Sequence, residues 1–265
     1  MPRRTRLDAE LVRRGLARSR EHASQLIADG RVTVRGSVAA KPATAVETDA
    51  AVVVRERQGD DWASRGAHKL IGALDAFEID VTGRRALDAG ASTGGFTDVL
   101  LRRGAREVVA ADVGRGLLVW RLQTDERVVV LDRTNVRALT PEQTGGPVDL
   151  VVADLSFISL RLVLPALLAC ATDDADLLPM VKPQFEVGKE RLGSGGVVRD
   201  PELRADAVRT VISEAGTLGL RAHGVVASPL PGPSGNVEYF VWLRRGEPNA
   251  DARALVDSAV REGPQ

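Results

Sequence analysis

From residue 86 to residue 181 the sequence repeats one pattern, a short apolar run followed by a stretch of helical periodicity. The runs occupy residues 86–90, 108–112, 128–131, 148–154 and 175–181. Runs this short and this apolar suit strands buried on both faces, with the intervening helices as cover. The pattern predicts an α/β fold built on a mostly parallel sheet. A helix is expected from Pro201, because proline suits the first helical turn. Strands near 220–228 and 237–244 complete the set. Ligands in such sheets bind beyond the carboxyl ends of the strands, near the point where strand order reverses. The residues at those ends are therefore the first candidates for chemistry. After residue 246 the chain is charged and is expected to fray.

Several strand ends carry charge. Asp112 ends the second run, Asp132 follows the third, Asp154 ends the fourth and Lys182 follows the fifth. Glu238 opens Tyr239-Phe240-Val241-Trp242-Leu243, and Lys69 starts the helical pattern before the first strand. Taken singly, each has a plain reading: an exposed lysine, a capping aspartate, an edge-strand glutamate. Brought together, two lysines and two carboxylates could strip a proton from a weakly acidic hydroxyl. The loop Asp88-Ala89-Gly90-Ala91-Ser92-Thr93-Gly94-Gly95-Phe96 joins the first strand to a helix over about 94–103. Its glycines let the backbone approach a ligand, and the helix start offers free N–H groups. The glycines do not have the G-x-G-x-x-G spacing of a dinucleotide loop.

The N-terminal sixty residues differ. Formal net charge over the 265 residues is zero, yet residues 1–35 hold nine arginines against Asp8, Glu10, Glu21 and Asp29. A basic block on a balanced chain points to a polyanion. Thr5 with Asp8 fits a capping box, with Leu7, Leu11 and Val12 as the helix face and Gly15 as its stop. Ser19 suits the cap of a second helix ending at Gly30. Strands are expected at 31–36 and 52–54. A module this small has a marginal core by itself. Residues 59–66 read as a linker, with Trp62 as an anchor. Cys170 is the only cysteine, so no internal disulfide can form, and it reads as a small core residue. One cysteine and three scattered histidines (His22, His68, His223) give no metal site. The basic N-terminus is not followed by an apolar run, and the longest uncharged apolar stretch, 162–172, is too short to span a bilayer. A cytoplasmic protein is expected.

The order Arg-Leu-Asp, Leu-Val-Arg-Arg-Gly-Leu-Ala, Ser19-Arg20, Ala23, Ile27, Gly30, Val32, Val34, Gly36 and Lys41-Pro42 resembles an S4-type RNA-binding domain over about residues 4–54. The resemblance implies helices that present arginines to structured RNA, with Arg4, Arg6, Arg18, Arg20 and Lys41 as the positions carried over. A solvated helical face is the plainer reading of any one of them. The loop 88–96 resembles the S-adenosylmethionine loop of class I (Rossmann-like) methyltransferases, as in the FtsJ-like ribose methyltransferases. That implies a methionine cradle of Gly90, Ser92, Thr93, Gly94, Gly95 and Phe96. It also implies Asp112 on the ribose hydroxyls and Asp132 at the adenine amino group, with Asp154 completing the series.

Lys69, Asp154, Lys182 and Glu238 match in order the Lys-Asp-Lys-Glu tetrad of ribose 2′-O-methyltransferases, which implies in-line methyl transfer to a 2′-oxygen. A free lysine has a pKa of about 10.4 and is almost all ammonium at neutral pH. Lys182 must lose a proton to be the general base; otherwise the four residues mainly align the oxygen. Arg65, Arg133 and Arg137 are candidates to hold the RNA backbone. Residues 184–200 are Gly-rich and suit a mobile lid, while 229–236 read as a rigid turn that delivers Glu238.

The whole chain, over about residues 4–245, resembles the TlyA (hemolysin A) family. The runs that carry this are Ser64-Arg65-Gly66-Ala67-His68-Lys69-Leu70, Asp154-Leu155-Ser156-Phe157-Ile158-Ser159, Lys182-Pro183-Gln184-Phe185-Glu186 and Ser234-Gly235-Asn236-Val237-Glu238. The resemblance implies a small α+β S4-type domain (1–58), a linker (59–66), an FtsJ-like domain with a seven-stranded sheet (67–246) and a C-terminal tail (247–265). It further implies 2′-O-methylation of cytidines in ribosomal RNA, of the small or large subunit or both. No residue by itself identifies cytidine or the ribosome. Two other classes compete: a catalytically silent protein that binds structured RNA, and a membrane-active hemolysin. The latter is disfavoured by the lack of a long basic amphipathic helix.

Overall fold

The computed structural model of the protein describes residues 4–17, 19–28, 30–54, 62–232, 234–247 and 251–264. The chain forms two compact units, Met1–Asp61 and Trp62–Gln265.

The first unit runs β1 (Arg4–Arg6), α1 (Leu7–Arg13), α2 (Arg20–Ala28), β2 (Val32–Val34), β3 (Ser37–Val38), β4 (Ala45–Glu47) and β5 (Val52–Val54). β1 pairs antiparallel with β4, and β2 lies between β3 and β5. Leu7, Leu11, Ala23, Leu26, Ile27, Val32 and Val46 form its buried core. Ser19 caps α2 as expected, its Oγ accepting the His22 N–H at 3.1 Å. Thr5 does not cap α1. It sits in β1 opposite Val46, and the N-cap is Arg6, without a side-chain cap bond. The T-x-x-D pattern is local, whereas the β1–β4 pairing that overrides it spans forty residues. Arg18 and residues 59–61 of the expected linker lie outside the described residues.

The second unit opens with α3 (Ala67–Ala76) and continues with β6 (Arg85–Ala89), α4 (Gly95–Arg102), β7 (Glu107–Ala111), α5 (Trp120–Gln123) and β8 (Val128–Leu131). Then come α6 (Pro141–Thr144), β9 (Val148–Ala153), α7 (Leu164–Ala169), β10 (Ala171–Val181) and α8 (Pro183–Glu186). The chain closes with α9 (Pro201–Thr217), β11 (Leu220–Ala227), β12 (Tyr239–Arg245) and α10 (Ala252–Glu262). The strands form one seven-stranded sheet in the order β11-β12-β10-β9-β6-β7-β8. β8, β7, β6, β9 and β10 are parallel, and β12 runs antiparallel to both its neighbours. Strand order reverses between β6 and β9, so the loops after these two strands open at the switch point. The mostly parallel α/β sheet read from the apolar runs is the observed one. Its two faces are covered by separate apolar clusters, one including Leu87, Val109, Val151 and Tyr239, the other Ala86, Leu100, Val152 and Phe240.

Two expectations give way. The charged segment after residue 246 does not fray: residues 252–262 form α10, which packs on α9 and β11 and buries Val256, Ala259 and Val260. The Gly-rich stretch 184–200 is tied down rather than hanging as a free lid. Glu186 takes a bond from Ser159 Oγ at 2.6 Å and from the Leu160 N–H at 2.8 Å. Val187 and Val198 pack with Ala207, and Asn236 bridges the Val198 N–H and the Gly196 carbonyl.

Candidate active site

The loop from β6 to α4 is shaped by close approach. Gly90 has φ 90° and lies against the carbonyl of Asp154, so a Cβ there would overlap that oxygen. Gly94 has φ 98° and is packed on the Leu122 side chain. Two strand-end aspartates stiffen the surroundings. Asp112 accepts the Ser92 N–H at 2.8 Å and the Gly114 N–H at 2.7 Å, and Asp132 accepts the Gly116 N–H at 2.9 Å. Beside this loop lies a cavity of about 620 Å³ whose lining includes Lys69, Gly90, Ser92, Gly95, Phe96 and Asp154. Its size, the glycine-opened backbone and the N–H groups starting α4 fit a nucleoside-sized ligand with a charged tail. Asp112 and Asp132 lie outside the lining, at the ends of the neighbouring strands.

Asp88, two residues before Gly90, is fully buried inside β6. Thr97 Oγ1 donates to its Oδ2 at 2.7 Å, and among the described residues Oδ1 has no partner. Burial above all pushes its pKa up to about 7, opposed by the Thr97 bond and reinforced by the negative charge of Asp154.

The four widely spaced charges meet as two ion pairs. Lys69 Nζ is 2.5 Å from Glu238 Oε2, and Lys182 Nζ is 2.6 Å from Asp154 Oδ1. The elements explain the meeting: α3 carries Lys69, the ends of β9 and β10 carry Asp154 and Lys182, and Glu238 immediately precedes β12. Both lysines are largely enclosed and Glu238 is buried. Lys69 and Asp154 line the same cavity, so the two pairs converge on it. Glu238 Oε1 is buried without a hydrogen-bond partner among the described residues, facing Gly232 across the turn after Pro229. Ser156 was not among the sequence candidates, yet its Oγ lies 3.0 Å from Lys182 Nζ. No local periodicity marks a hydroxyl in a loop, so the sequence by itself carries no signal for it.

The cationic candidates are mixed. In the first unit Arg6 and Arg20 both reach Asp8, at 2.9 and 3.0 Å, and Arg4 pairs with Glu47 at 3.3 Å. Arg6 first, then Arg20, hold the Asp8 carboxyl well below the usual carboxylate range, against the cost of its burial. Lys41 is exposed. In the second unit Arg65 is exposed at the cavity mouth, and Arg133 and Arg137 are exposed beyond β8, Arg133 in a left-handed turn with φ 54°. Trp62 is half-buried against the core, with the Arg102 guanidinium 4.3 Å over its ring. Among the described residues no His, Cys, Asp and Glu cluster could hold a metal ion, and no helix is long and apolar enough to cross a membrane.

Comparison with known proteins agrees with this architecture. Residues 62–245 match the FtsJ-like methyltransferase family and residues 5–52 the S4 domain family. The chain is 63% identical over its full length to the 16S/23S rRNA (cytidine-2′-O)-methyltransferase TlyA of Mycobacterium tuberculosis, all of which it covers. It is 36% identical to Hemolysin A of Brachyspira hyodysenteriae, over 89% of this chain and 98% of that one. A solved structure from Streptococcus thermophilus superposes with a TM-score of 0.76 at 35% identity, covering 99% of this chain and 96% of that one. An S4 module followed by a switch-point methyltransferase domain is thus both the observed build and the shared one, and the chain belongs to the TlyA family of FtsJ-like methyltransferases.

Proposed function

We propose that the protein transfers a methyl group from S-adenosylmethionine to the 2′-oxygen of cytidines in ribosomal RNA. The observation that carries this reading is the convergence of the Lys69–Glu238 and Lys182–Asp154 pairs on the glycine-lined cavity. The relatives' names supply cytidine and ribosomal RNA; the M. tuberculosis relative bears both subunit RNAs in its name, and the Campylobacter jejuni relative 23S alone. An rRNA substrate makes the cytoplasm its compartment.

In this reading Gly90, Ser92, Thr93, Gly94, Gly95 and Phe96 hold the amino-acid end of the donor, and Asp112 and Asp132 its ribose and adenine. When bound, S-adenosylmethionine supplies an electrophilic methyl on a sulfonium centre. The protein's task is to present an oxygen nucleophile in line. Lys182 takes the 2′-hydroxyl proton as general base, and Asp154 holds it by the 2.6 Å pair. Lys69, kept by Glu238, favours the negative charge that develops on the oxygen. Once freed of its proton, the oxygen would use its own electron pair to bond the methyl carbon that the donor would supply, and the carbon–sulfur bonding pair would leave with the sulfur. Arg65, Arg133 and Arg137 hold RNA backbone near the cavity. The 1–58 unit, through Arg4, Arg6, Arg18, Arg20 and Lys41, supplies the sequence-blind, salt-dependent grip.

Lys182→Ala is expected to lower methylation of ribosomal subunits by about 100-fold or more, in line with losing a general base, while S-adenosylhomocysteine still binds. Turnover at the normal rate would remove Lys182 from the chemistry. Mapping 2′-O-methyl positions in rRNA from cells with and without the gene tests the substrate, and identical maps would overturn it.

A further inference from the structure

We infer that Ser156 is a positioning residue that sets the direction in which the Lys182 amine faces the acceptor oxygen. The inference rests on the assignment of Lys182 to proton transfer and adds a determinant to it.

Three directions remain around a lysine nitrogen once the bond to Cε is taken. Ser156 Oγ accepts a hydrogen bond along one of them at 3.0 Å, while Asp154 Oδ1, 2.6 Å from Nζ, is an ion-pair partner. The Ser156 bond sets the rotation of the amine and so fixes the other two directions. In the ammonium those directions carry N–H groups, one of which can donate to a ribose oxygen. In the free amine one N–H serves Ser156, and the lone pair takes one of the two directions that this bond fixes. There the 2′-O–H bond breaks, its proton adds to Nζ, and the electron pair stays on oxygen. With Asp154 alone, the flexible lysine stem would leave the free direction undefined.

The loop that bears Ser156 is built to hold still. The Asp154 N–H donates to the Ala89 carbonyl at 3.0 Å, which anchors the end of β9 next to Gly90. In the stretch that follows, Asp154 and Ser156 both reach Lys182. At Phe157 the backbone turns, with φ 64°, a left-handed conformation in which a non-glycine residue is uncommon. Beyond it the loop is tied to the segment that carries Lys182 at two further places. Phe157 packs on Phe185 with ring centroids 5.2 Å apart, and Ser159 and Leu160 bind Glu186. Residues 154–160 and 182–186 thus run alongside each other, fastened at three points, and the Ser156–Lys182 bond is the fastening next to the cavity. Ser156 is itself exposed, so its hydroxyl is not a structural bond of the core.

The test uses the full-length protein, radiolabelled S-adenosylmethionine and ribosomal subunits purified from cells lacking the gene. Ser156→Ala is expected to slow single-turnover methylation by roughly 10- to 100-fold, the range for a misdirected reacting group. KM for the subunits and the Kd for S-adenosylhomocysteine are expected to stay within about twofold, because the residue acts on the reacting amine rather than on binding. Ser156→Thr, which keeps the hydroxyl, is expected to recover most of the rate. A Ser156→Ala enzyme within twofold of wild type overturns the inference. So does a Ser156→Thr enzyme as slow as Ser156→Ala, or a Ser156→Ala enzyme that loses S-adenosylhomocysteine, because either result makes the effect steric or structural. Lys182→Ala is run alongside: if it is active, the underlying base assignment falls, whereas an inactive Lys182→Ala with a fast Ser156→Ala defeats this inference alone.

Discussion

At the residue scale, Asp88 ties β6 to α4 through its bond from Thr97, with a consequence for stability. Its carboxyl is held near pKa 7 chiefly by burial, against about 3.9 for an unfolded aspartate. Between about pH 4 and pH 7 the unfolded chain has released this proton and the folded chain still holds it. The native state binds more protons there, so this group lowers stability as pH rises through that window. Three pKa units correspond to about 4 kcal/mol as an order of magnitude. Asp88→Asn keeps an acceptor for Thr97 and removes the titration. The wild-type Tm is therefore expected to fall relative to that of the variant as pH is raised from 4 to 8; parallel curves would clear Asp88 of the effect. Residues differ in how far sequence reveals them. Asp154 and Lys182 were legible because each ends the apolar run of a parallel strand and Glu238 because it opens one, whereas Lys69 starts a helical pattern and α3 brings it to Glu238. Ser156 was not, because a hydroxyl in a loop has no periodicity and is defined only by the lysine 26 residues away that binds it. The state of Asp88 was hidden for a related reason. Its place in an apolar run was plain, but its partner Thr97 and its lone Oδ1 exist only once α4 folds back on β6.

At the scale of elements, the strands and the long helix α9 follow from apolar runs and from Asp200-Pro201, where the aspartate caps and the proline begins the helix. The misjudged elements are those whose local pattern competes with a distant partner. Thr5 has the pattern of a cap, but β4 recruits it as a strand. The C-terminal segment has the composition of a solvated tail, yet Ala252, Leu255, Val256, Ala259 and Val260 repeat at helical spacing and all join the main core cluster. Asp251 caps this helix by accepting the Arg253 N–H at 3.0 Å. Burial of a valine side chain contributes about 1.5–3 kcal/mol, so α10 is a stability element. A chain ending at residue 247 is expected to unfold at a clearly lower urea concentration, with a loss of at least about 3 kcal/mol from Val256 and Val260 alone. Its affinity for S-adenosylhomocysteine at low temperature should be unchanged, because α10 contributes nothing to the lining of the cavity. An unaltered urea midpoint would mean that α10 is a passenger on the sheet.

At the scale of the whole molecule, the two units divide the work. The cavity, both ion pairs and Ser156 belong to residues 62–265, and the densest group of arginines to residues 1–61. Within the smaller unit the carboxylates do more than neutralise. Asp8, almost fully buried, gathers the exposed Arg6 and Arg20, and Glu47 gathers Arg4 and Arg35, so the guanidiniums are presented in fixed groups. Under the proposed reading, a chain of zero net charge binds a polyanion because its charge is sorted between units and then arranged within one. The division predicts separable defects. Arg6→Ala with Arg20→Ala should weaken binding to ribosomal RNA, and the slope of log affinity against log salt should fall by about two if each arginine meets one phosphate. Donor binding should not change, because the described residues that line the cavity belong to the second unit. Saturating RNA should restore the single-turnover rate of the double variant, since the chemistry sits in the other unit. If binding and its salt slope match wild type, the grip lies elsewhere; if the rate stays low at saturating RNA, the two arginines also help to place the acceptor, and the units share the catalytic step.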